Sequence, residues 1–246
     1  MLKEAKDWWN THAKSYQDDC KIPIAVCYGA GSPSEEELGL LGSVREKRIL
    51  EIGCGAAQAA ISLAKQGAIV TAIDVSISQL EIARRLAMEN MVKVTFIECD
   101  MADLSVIESE SMDIVFSACA FAYVDDLESC FNEVYRVLIP NGLFVWGMGH
   151  PFTEVVDPHT LKVNRSYFDI EPKIEGAETG SAFASVHRKI SDYFNMMVAA
   201  GFVVEKVLEP DSRLRHAIDP WYGLYEATPE LLKLVPGTLI MKSRKQ

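Results

Sequence analysis

Short apolar segments alternate with amphipathic segments through the middle of the chain, and this alternation limits the possible folds more than any other feature. Apolar runs predict five strands, at residues 48–52, 68–74, 92–100, 112–120 and 143–149. Helical patterns predict intervening helices at residues 58–65, 76–90 and 125–138. Strands that are apolar along their whole length are typical of parallel sheets buried on both faces. The pattern therefore predicts an α/β fold with a Rossmann-like, doubly wound sheet.

Local signals set the ends of these elements. Ser76 and Gln79 have the spacing of a capping box, which predicts the start of the second helical segment. Pro140-Asn141-Gly142 predicts the end of the helix that precedes the fifth strand.

The pattern changes after Gly149. Residues 150–186 contain several prolines and no helical stripe, so we expect a loop or short antiparallel hairpin over the sheet. A helix is then predicted over residues 188–200, and two final strands over residues 202–210 and 238–245. The residues expected to face inward from this helix are Ile190, Tyr193, Phe194 and Met197.

Charge and cysteine content exclude several classes of protein. The chain has 35 acidic against 24 basic residues, a formal net charge of −11, which disfavours a nucleic-acid partner. Its six cysteines form no C-x-x-C pair, and several lie in apolar runs, so we expect reduced thiols in a cytoplasmic protein. No apolar leader segment or run of about 20 apolar residues is present, so neither secretion nor a membrane association is expected.

A glycine turn follows the first predicted strand and is the most informative motif. The strand ends in Glu51, and Gly53 and Gly55 allow the backbone to turn tightly and pass close to a ligand. Asp74, Asp100 and Ser117 fall at or near the ends of the next three strands. Because ligands of open parallel sheets bind at the carboxyl ends of the strands, these residues predict a nucleoside site.

The type of nucleoside follows from two details of the turn. A nicotinamide dinucleotide fingerprint requires a small residue where Gln58 stands. Glu51 would also repel a pyrophosphate and attract an ammonium group. A nucleoside with an amino-acid tail and a cationic sulfur, S-adenosylmethionine, fits this pattern.

The same segments resemble the class I S-adenosylmethionine-dependent methyltransferases, of the small-molecule (type 11/25-like) group. The sequence EIGCGAAQ resembles their first motif, with Ala57 in place of the usual third glycine, and the resemblance covers about residues 45–150. The other matching segments are residues 72–84, 98–104, 113–126 and 141–146. The resemblance implies a single domain over residues 1–246, with lid helices in about 1–44 and a substrate-side insertion at about 150–186. It also implies a seven-stranded sheet of order 3-2-1-4-5-7-6, with strand 7 antiparallel and helices on both faces.

The resemblance further implies a set of cofactor-binding residues for S-adenosyl-L-methionine and its product, S-adenosyl-L-homocysteine. Asp74 would bind the ribose hydroxyls, Asp100 and Met101 would flank the adenine, and Tyr16 would approach the cofactor carboxylate. Trp8, Trp9, His12 and Tyr16 could instead only pack the first helix. The full implied set is Tyr16, Glu51, Gly53, Gly55, Asp74, Gln79, Asp100, Met101 and Ser117.

Candidate residues for the methyl acceptor lie after the fourth and fifth strands. Methyl transfer from a sulfonium depends mainly on alignment, but an oxygen or ammonium acceptor must lose a proton. His150 is the first candidate base, Tyr123 the second and His187 the third, although each histidine could have a purely structural role. The aromatic residues expected over the substrate are Phe152, Tyr167 and Trp221, with packing into the core as the alternative. No metal is expected, because no spacing typical of ligands occurs.

These features favour an enzyme that methylates nitrogen or oxygen in a small molecule. Signatures of adenine or cytosine methylation are absent: SACAFAY follows the fourth strand where Asn/Asp-Pro-Pro-Tyr/Phe would stand, and no Pro-Cys nucleophile occurs. A non-enzymatic protein that binds the cofactor and a nicotinamide-dependent oxidoreductase are the alternatives. The acceptor and the oligomeric state are left open by the sequence.

Overall fold

A computed structural model of the chain describes residues 3–176, 182–212 and 228–246. The strands are β1 (Arg48–Ile52), β2 (Ile69–Asp74), β3 (Val94–Glu98), β4 (Met112–Ala118), β5 (Leu138–Gly149), β6 (Lys173–Glu175), β7 (Phe183–Ser185), β8 (Phe202–Leu208) and β9 (Thr238–Lys245). The helices are α1 (Lys3–Cys20), α2 (Glu35–Leu38), α3 (Gln58–Lys65), α4 (Ile77–Glu89), α5 (Leu127–Val137), α6 (Ile190–Ala199) and α7 (Pro229–Leu232).

Seven of these strands form one sheet in the order β3-β2-β1-β4-β5-β9-β8. The pairs from β3 to β5 are parallel, whereas β9 runs antiparallel to both β5 and β8. The predicted order is confirmed, since β8 and β9 are the sixth and seventh strands of this sheet along the chain. The antiparallel strand fills the position between β5 and β8.

Apolar side chains cover both faces of the sheet. Along β1, Leu50 and Ile52 pack into one buried cluster with α5 and α6, whereas Ile49 packs into a second cluster with α3 and α4. This alternation follows from the period of two in a strand, and burying each such side chain contributes about 1.5–3 kcal/mol. Glu51 shares a face with Ile49, so the β1 register directs its carboxylate toward α3.

The boundary between α5 and β5 differs from the prediction. Helix α5 ends at Val137 and β5 begins at Leu138, so Pro140-Asn141-Gly142 lies inside the strand. Asn141 adopts a left-handed φ of 64°, and the register with β4 shifts between Met112 and Ile114. Pro140-Asn141-Gly142 does change the backbone direction, but it does so as an irregularity within the strand. Asparagine tolerates the left-handed conformation, and strand pairing continues on both sides of it.

Two further local predictions are wrong. Ser76 caps α4 by accepting a hydrogen bond from the Gln79 N–H, but its own N–H donates to Asp74 Oδ1, so the capping box is not completed. Phe194 is 40% exposed, whereas Tyr193 and Met197 are buried. Positions 193 and 197 lie one helical turn apart on the inner face, and position 194 is rotated about 100° away from 193.

The segments outside the central sheet flank its carboxyl edge. Within the insertion, β6 and β7 pair as the antiparallel hairpin that was predicted. At the N-terminus, α1 packs against α4 and contacts β7. Among the helices of the described residues, none combines the length and hydropathy that a membrane span requires.

Candidate functional site

A pocket lies at the carboxyl ends of β1, β2 and β4, where the order of the sheet reverses, and α1 covers it. The lining residues include two chemical groups, which we name the acidic side and the aromatic side. The acidic side consists of Glu51, Gly53, Gly55 and Asp74, and the aromatic side consists of Trp9, Tyr16 and Tyr123.

The glycine turn brings the backbone close to the segments that follow β3 and β4. Gly53 has a left-handed φ of 64°, and a Cβ there would lie 2.5 Å from the Ala120 Cβ and 2.8 Å from the Met101 Cε. Both conformation and space therefore require glycine at this position. Ala57 also adopts a left-handed φ, of 60°, as the N-cap of α3, which explains why glycine is usual there in the family that the turn resembles.

Glu51 is buried at the end of β1. Its Oε2 accepts a hydrogen bond from the Ala60 N–H at 2.7 Å, in the first turn of α3. Burial raises the pKa of this carboxyl to about 8, the Ala60 N–H opposes the rise, and the neighbouring Asp74 adds to it. A cation that enters the pocket would therefore favour the ionised form of Glu51.

Asp74 is fixed by the backbone on both sides of its strand end. Its Oδ2 accepts the Gly55 N–H at 2.8 Å and its Oδ1 accepts the Ser76 N–H at 2.8 Å. Burial raises the pKa of Asp74, and these backbone N–H groups oppose the shift. Each oxygen retains a lone pair, so the two oxygens can also accept hydrogen bonds from two neighbouring hydroxyl groups.

The residues present fit the nucleoside that the sequence predicts. Glu51 and Asp74 line the same pocket, and within residues 3–176, 182–212 and 228–246 neither forms an ion pair with Lys, Arg or His. Buried carboxylates without a cation are costly. A ligand with an ammonium group and ribose hydroxyls would supply the missing partners.

A row of three amides joins α1 to the body of the protein beside this pocket. The Gln58 Nε2 donates to Gln17 Oε1 at 2.6 Å, and the Gln17 Nε2 donates to Gln79 Oε1 at 3.2 Å. All three side chains line the pocket. Gln79 was predicted, but Gln17 and Gln58 were not assigned a role, because their partners come from helices distant in the sequence.

Aromatic rings from three segments meet at the aromatic side of the pocket. The Trp9 ring lies 5.0 Å from the Tyr16 ring and 5.5 Å from the Tyr123 ring, and Tyr123 lies 5.4 Å from Phe183, all in edge-to-face geometry. Trp9 was predicted only as a possible packing residue. Its position seven residues before Tyr16, two turns along the same helix face, is the sequence signal that places it in the pocket.

Some predicted cofactor residues lie apart from the main pocket. Met101 lines it, but Asp100 lines a neighbouring hollow with Lys6 and Glu98, and Val75 lines both. The Ser117 hydroxyl is buried and donates to the Ile52 carbonyl at 2.9 Å. Ser117 therefore connects β4 to β1, and the structure does not bring it to the pocket.

The structure does not support His150 as a base. His150 is fully buried, its Nδ1 accepts the Phe152 N–H at 3.2 Å, and its Nε2 lies 2.8 Å from Glu209 Oε1. Burial lowers its pKa, and it does not line the pocket. Both nitrogens are engaged within the protein, as they are in His187, which contacts Glu154 and the Tyr167 carbonyl.

The predicted substrate residues of the insertion also lie outside the pocket lining. Phe152 stacks between His150 and Tyr167, with ring centroids 5.5 and 5.0 Å away. These rings pack the insertion against itself, and Phe152 is 43% exposed, so it does not pack into the core as the alternative had it. Trp221 lies outside the described residues.

Three cysteines, Cys27, Cys54 and Cys119, line the pocket and were not predicted to do so. Cys54 and Cys119 follow β1 and β4 rather than lying within them, and Cys119 has a left-handed φ of 55°. The pKa of the Cys54 thiol is raised by burial and by the charges of Asp74 and Glu51, so this thiol is held in its protonated form. The described parts of the chain contain no group of His, Cys, Asp and Glu residues arranged to hold a metal ion.

Comparison with known proteins agrees with this geometry. Residues 50–146 match the family described as "Methyltransferase domain". The chain is 28% identical over 196 residues to the uncharacterized methyltransferase YbaJ of Bacillus subtilis, with 75% of this chain and 76% of that protein covered. It is 30% identical over 150 residues to the ubiquinone biosynthesis O-methyltransferase of Pasteurella multocida, with 57% of this chain and 59% of that protein covered. The chain thus spans just over half the length of that second relative.

Solved structures share the fold. An S-adenosylmethionine dependent methyltransferase from Mesorhizobium loti superposes with a TM-score of 0.68 at 23% identity, covering 85% of this chain and 95% of that chain. The [4+2]-cyclase SpnF superposes with a TM-score of 0.67 at 18% identity, covering 98% of this chain and 94% of that one. Because the family match includes the strands and the glycine turn that line the pocket, this part of the chain is similar to the class I S-adenosylmethionine-dependent methyltransferases, and the site fits S-adenosylmethionine as the cofactor.

Proposed function

We propose that the protein transfers a methyl group from S-adenosylmethionine to a nitrogen or oxygen atom of a small molecule. The observation that carries this proposal is a single pocket with two unlike sides. The acidic side contains two carboxyl groups that form no ion pair within the described residues, and the aromatic side contains Trp9, Tyr16 and Tyr123. A cationic nucleoside suits the first side and an apolar or aromatic acceptor suits the second.

The acidic side would hold the cofactor through groups that the backbone already fixes. Asp74 would accept hydrogen bonds from the ribose hydroxyls while its oxygens remain bonded to Gly55 and Ser76. Glu51 would accept a hydrogen bond from the cofactor ammonium, directly or through water. When bound, the cofactor supplies an activated methyl group on a cationic sulfur, so the protein needs chiefly to align the acceptor and exclude water.

Tyr123 is the best of the three candidates for handling the acceptor's proton. Its ring lines the pocket, whereas His150 is enclosed elsewhere by Glu209 and Phe152. A tyrosine hydroxyl can orient an acceptor and accept a hydrogen bond from it. Catalysis then rests mainly on positioning, with a modest contribution from Tyr123.

Two features favour a small acceptor over a macromolecule: the helix that covers the pocket and the negative net charge of the chain. Helix α1 covers the pocket with Trp9, Tyr16 and Gln17, which leaves little room for a duplex. The net charge of −11 also disfavours nucleic acid. The name of the Pasteurella relative, an O-methyltransferase of ubiquinone biosynthesis, supports oxygen as one acceptor atom to test.

The fold alone does not determine the reaction. SpnF, a [4+2]-cyclase, shares it, so a protein of this architecture need not transfer a methyl group. Binding of the cofactor and turnover must therefore be measured separately.

The test combines both measurements on the same protein. Calorimetric titration with S-adenosylmethionine and with NAD identifies the ligand, and incubation with methyl-labelled S-adenosylmethionine and a panel of phenols, catechols and amines detects transfer. We expect S-adenosylmethionine to bind and at least one acceptor to become labelled. Binding without any labelled product would support a non-enzymatic role, and NAD binding alone would overturn the proposal.

The variant Asp74→Asn tests the cofactor site most directly. Loss of a charged acceptor should weaken S-adenosylmethionine binding by about 1–3 kcal/mol. Asp103→Asn is the control, because Asp103 accepts the Ser105 N–H in an exposed turn and does not line the pocket. Equal affinities of the two variants would remove Asp74 from the cofactor site.

A further inference from the structure

The position of Tyr123 depends on a short turn rather than on a helix or strand of the sheet. A single 3-10 turn, Phe121–Tyr123, follows β4 and carries the Tyr123 ring to the pocket. Such a turn has few internal hydrogen bonds, so its carbonyl groups need partners from elsewhere. The contacts that supply these partners decide where the Tyr123 ring lies.

The side chain of Arg188 binds one carbonyl of the turn and two carbonyls of the residues that follow it. Its Nη1 donates to the Phe121 carbonyl at 3.1 Å, and its Nη2 donates to the Asp125 carbonyl at 3.0 Å and to the Val124 carbonyl. Arg188 is 6% exposed. The guanidinium thus binds the backbone on both sides of Tyr123 in the chain.

The strand that leads to Arg188 holds the same turn from a second direction. The Val186 N–H donates to the Ala122 carbonyl at 2.7 Å, and the Phe183 ring packs edge-on against the Tyr123 ring. Residues 183–188 therefore contact the turn through its backbone and through its ring. The Tyr123 ring also packs edge-on against Trp9 of α1, so the three rings form one cluster.

Arg188 does not have the surroundings of an ordinary buried ion pair. Among the residues that the structure describes, no carboxylate forms an ion pair with it, and its hydrogen bonds to Phe121, Val124 and Asp125 all go to main-chain carbonyls. A buried guanidinium is costly to desolvate, and an apolar residue of similar volume often gives equal or greater stability. Its five donors in a rigid plane are well suited to fixing several carbonyls at once.

We propose that Arg188 is a positioning residue of the methyltransferase, which fixes the 121–125 segment so that the Tyr123 ring faces the acceptor between Trp9 and Phe183. This role rests on the proposed function for its effect on turnover. Its effect on the position of Tyr123 is independent of that function. The cofactor residues Glu51 and Asp74 bond to other segments, so Arg188 should not influence cofactor affinity.

The experiment uses Arg188→Lys and Arg188→Gln, with Lys189→Gln as the matched control. Lys189 is the next residue and pairs with Asp192 in the first turn of α6, away from the 121–125 segment. The protein is labelled with 3-fluorotyrosine, and the Tyr123 resonance is assigned with Tyr123→Phe. Thermal melting is recorded first to show that each variant folds. Arg188→Lys retains a cation that can donate to one or two carbonyls, so it provides the test if Arg188→Gln does not fold.

We expect both Arg188 variants to shift or broaden the Tyr123 fluorine resonance, whereas Lys189→Gln leaves it in place. S-adenosylmethionine affinity should stay within about twofold, while kcat/KM for the best acceptor of the phenol, catechol and amine panel should fall about tenfold to a hundredfold, as is usual for a misplaced reacting group. An unmoved Tyr123 resonance would overturn the proposal, and so would a loss of cofactor affinity as large as the loss of turnover. If the panel gives no product with the unaltered protein, the proposed function fails, but the fluorine shift still decides the role of Arg188.

Discussion

On the acidic side of the pocket, each functional carboxylate is bonded to backbone N–H groups: Asp74 to Gly55 and Ser76, and Glu51 to Ala60. On the aromatic side, the rings of Trp9 and Tyr123 meet edge to face, and the backbone beneath Tyr123 is held by a side chain. Backbone contacts within a sheet and its helices leave little freedom, whereas ring contacts can adjust. We therefore expect the acidic side to be rigid and the aromatic side to be adaptable.

The largest expected effect is on the rigid side, at Gly53. Gly53→Ala places a Cβ 2.5 Å from the Ala120 Cβ in a left-handed backbone conformation. We expect the free energy of unfolding to fall by about 2–5 kcal/mol, the sum of left-handed strain and overpacking, and cofactor binding to be lost. Chemical denaturation and calorimetry measure both.

Gly39→Ala separates the two causes. Gly39 has a similar φ of 59° with nothing within 4 Å of the added Cβ, so this control should lose only about 1–2 kcal/mol from strain. If Gly53→Ala is no more destabilising than Gly39→Ala, the backbone at Gly53 shifts to make room for the added methyl group. The acidic side would then be less rigid than its contacts indicate.

The second effect concerns the charge of Glu51 and its dependence on pH. Its pKa is raised from an ordinary 4.5 to about 8 in the folded protein, so the folded state holds a proton that the unfolded state releases. The contribution of Glu51 to stability is fully present below pH 4.5 and is lost as pH rises through 8. Without cofactor, Glu51→Gln should therefore be more stable than the unaltered protein at pH 9 by about 2–4 kcal/mol, with the difference vanishing near pH 4.

Denaturant titrations at pH 4, 7 and 9 check this difference, with Glu205→Gln as the control, because Glu205 pairs with Arg244 on the edge of the sheet. Saturating S-adenosylmethionine should narrow the difference at pH 7, where the cofactor ammonium is protonated and favours the ionised carboxylate. The same pH dependence in both variants would show that Glu51 is not the group responsible.

The contrast between the two sides also explains what could be predicted from the sequence. Glu51 and Asp74 end two adjacent parallel strands, so the strand pattern was enough to bring them together. The order of the seven strands was predicted from the family resemblance, and the ends of β1 and α3 match the predicted segments. The positions of Glu51 and Asp74 and the ends of β1 and α3 depend on periodicity, which is a local property of the chain, whereas the strand order depends on the resemblance.

The aromatic side depends on contacts between segments far apart in the sequence. Trp9 meets Tyr123, and Arg188 meets the Phe121 carbonyl, across separations of more than 60 residues. His150 was a reasonable candidate because it follows β5, but residue Glu209 encloses it, and no local pattern indicates that contact. The alternation of apolar residues sets which face a side chain takes, but not which distant ring it meets.

The smallest expected effect tests the adaptable side at Trp9. Trp9→Leu removes the ring contacts with Tyr16 and Tyr123 but keeps an apolar side chain, so the free energy of unfolding should fall by only about 1–2 kcal/mol. Trp8→Leu is the control, because Trp8 packs against His12 and Phe183 but does not line the pocket. Calorimetry should find S-adenosylmethionine affinity unchanged in both variants, while the range of labelled phenols, catechols and amines changes only in Trp9→Leu. If Trp9→Leu weakens the cofactor as much as Asp74→Asn does, the Trp9 ring belongs to the cofactor site, and the division of the pocket into a rigid and an adaptable side is wrong.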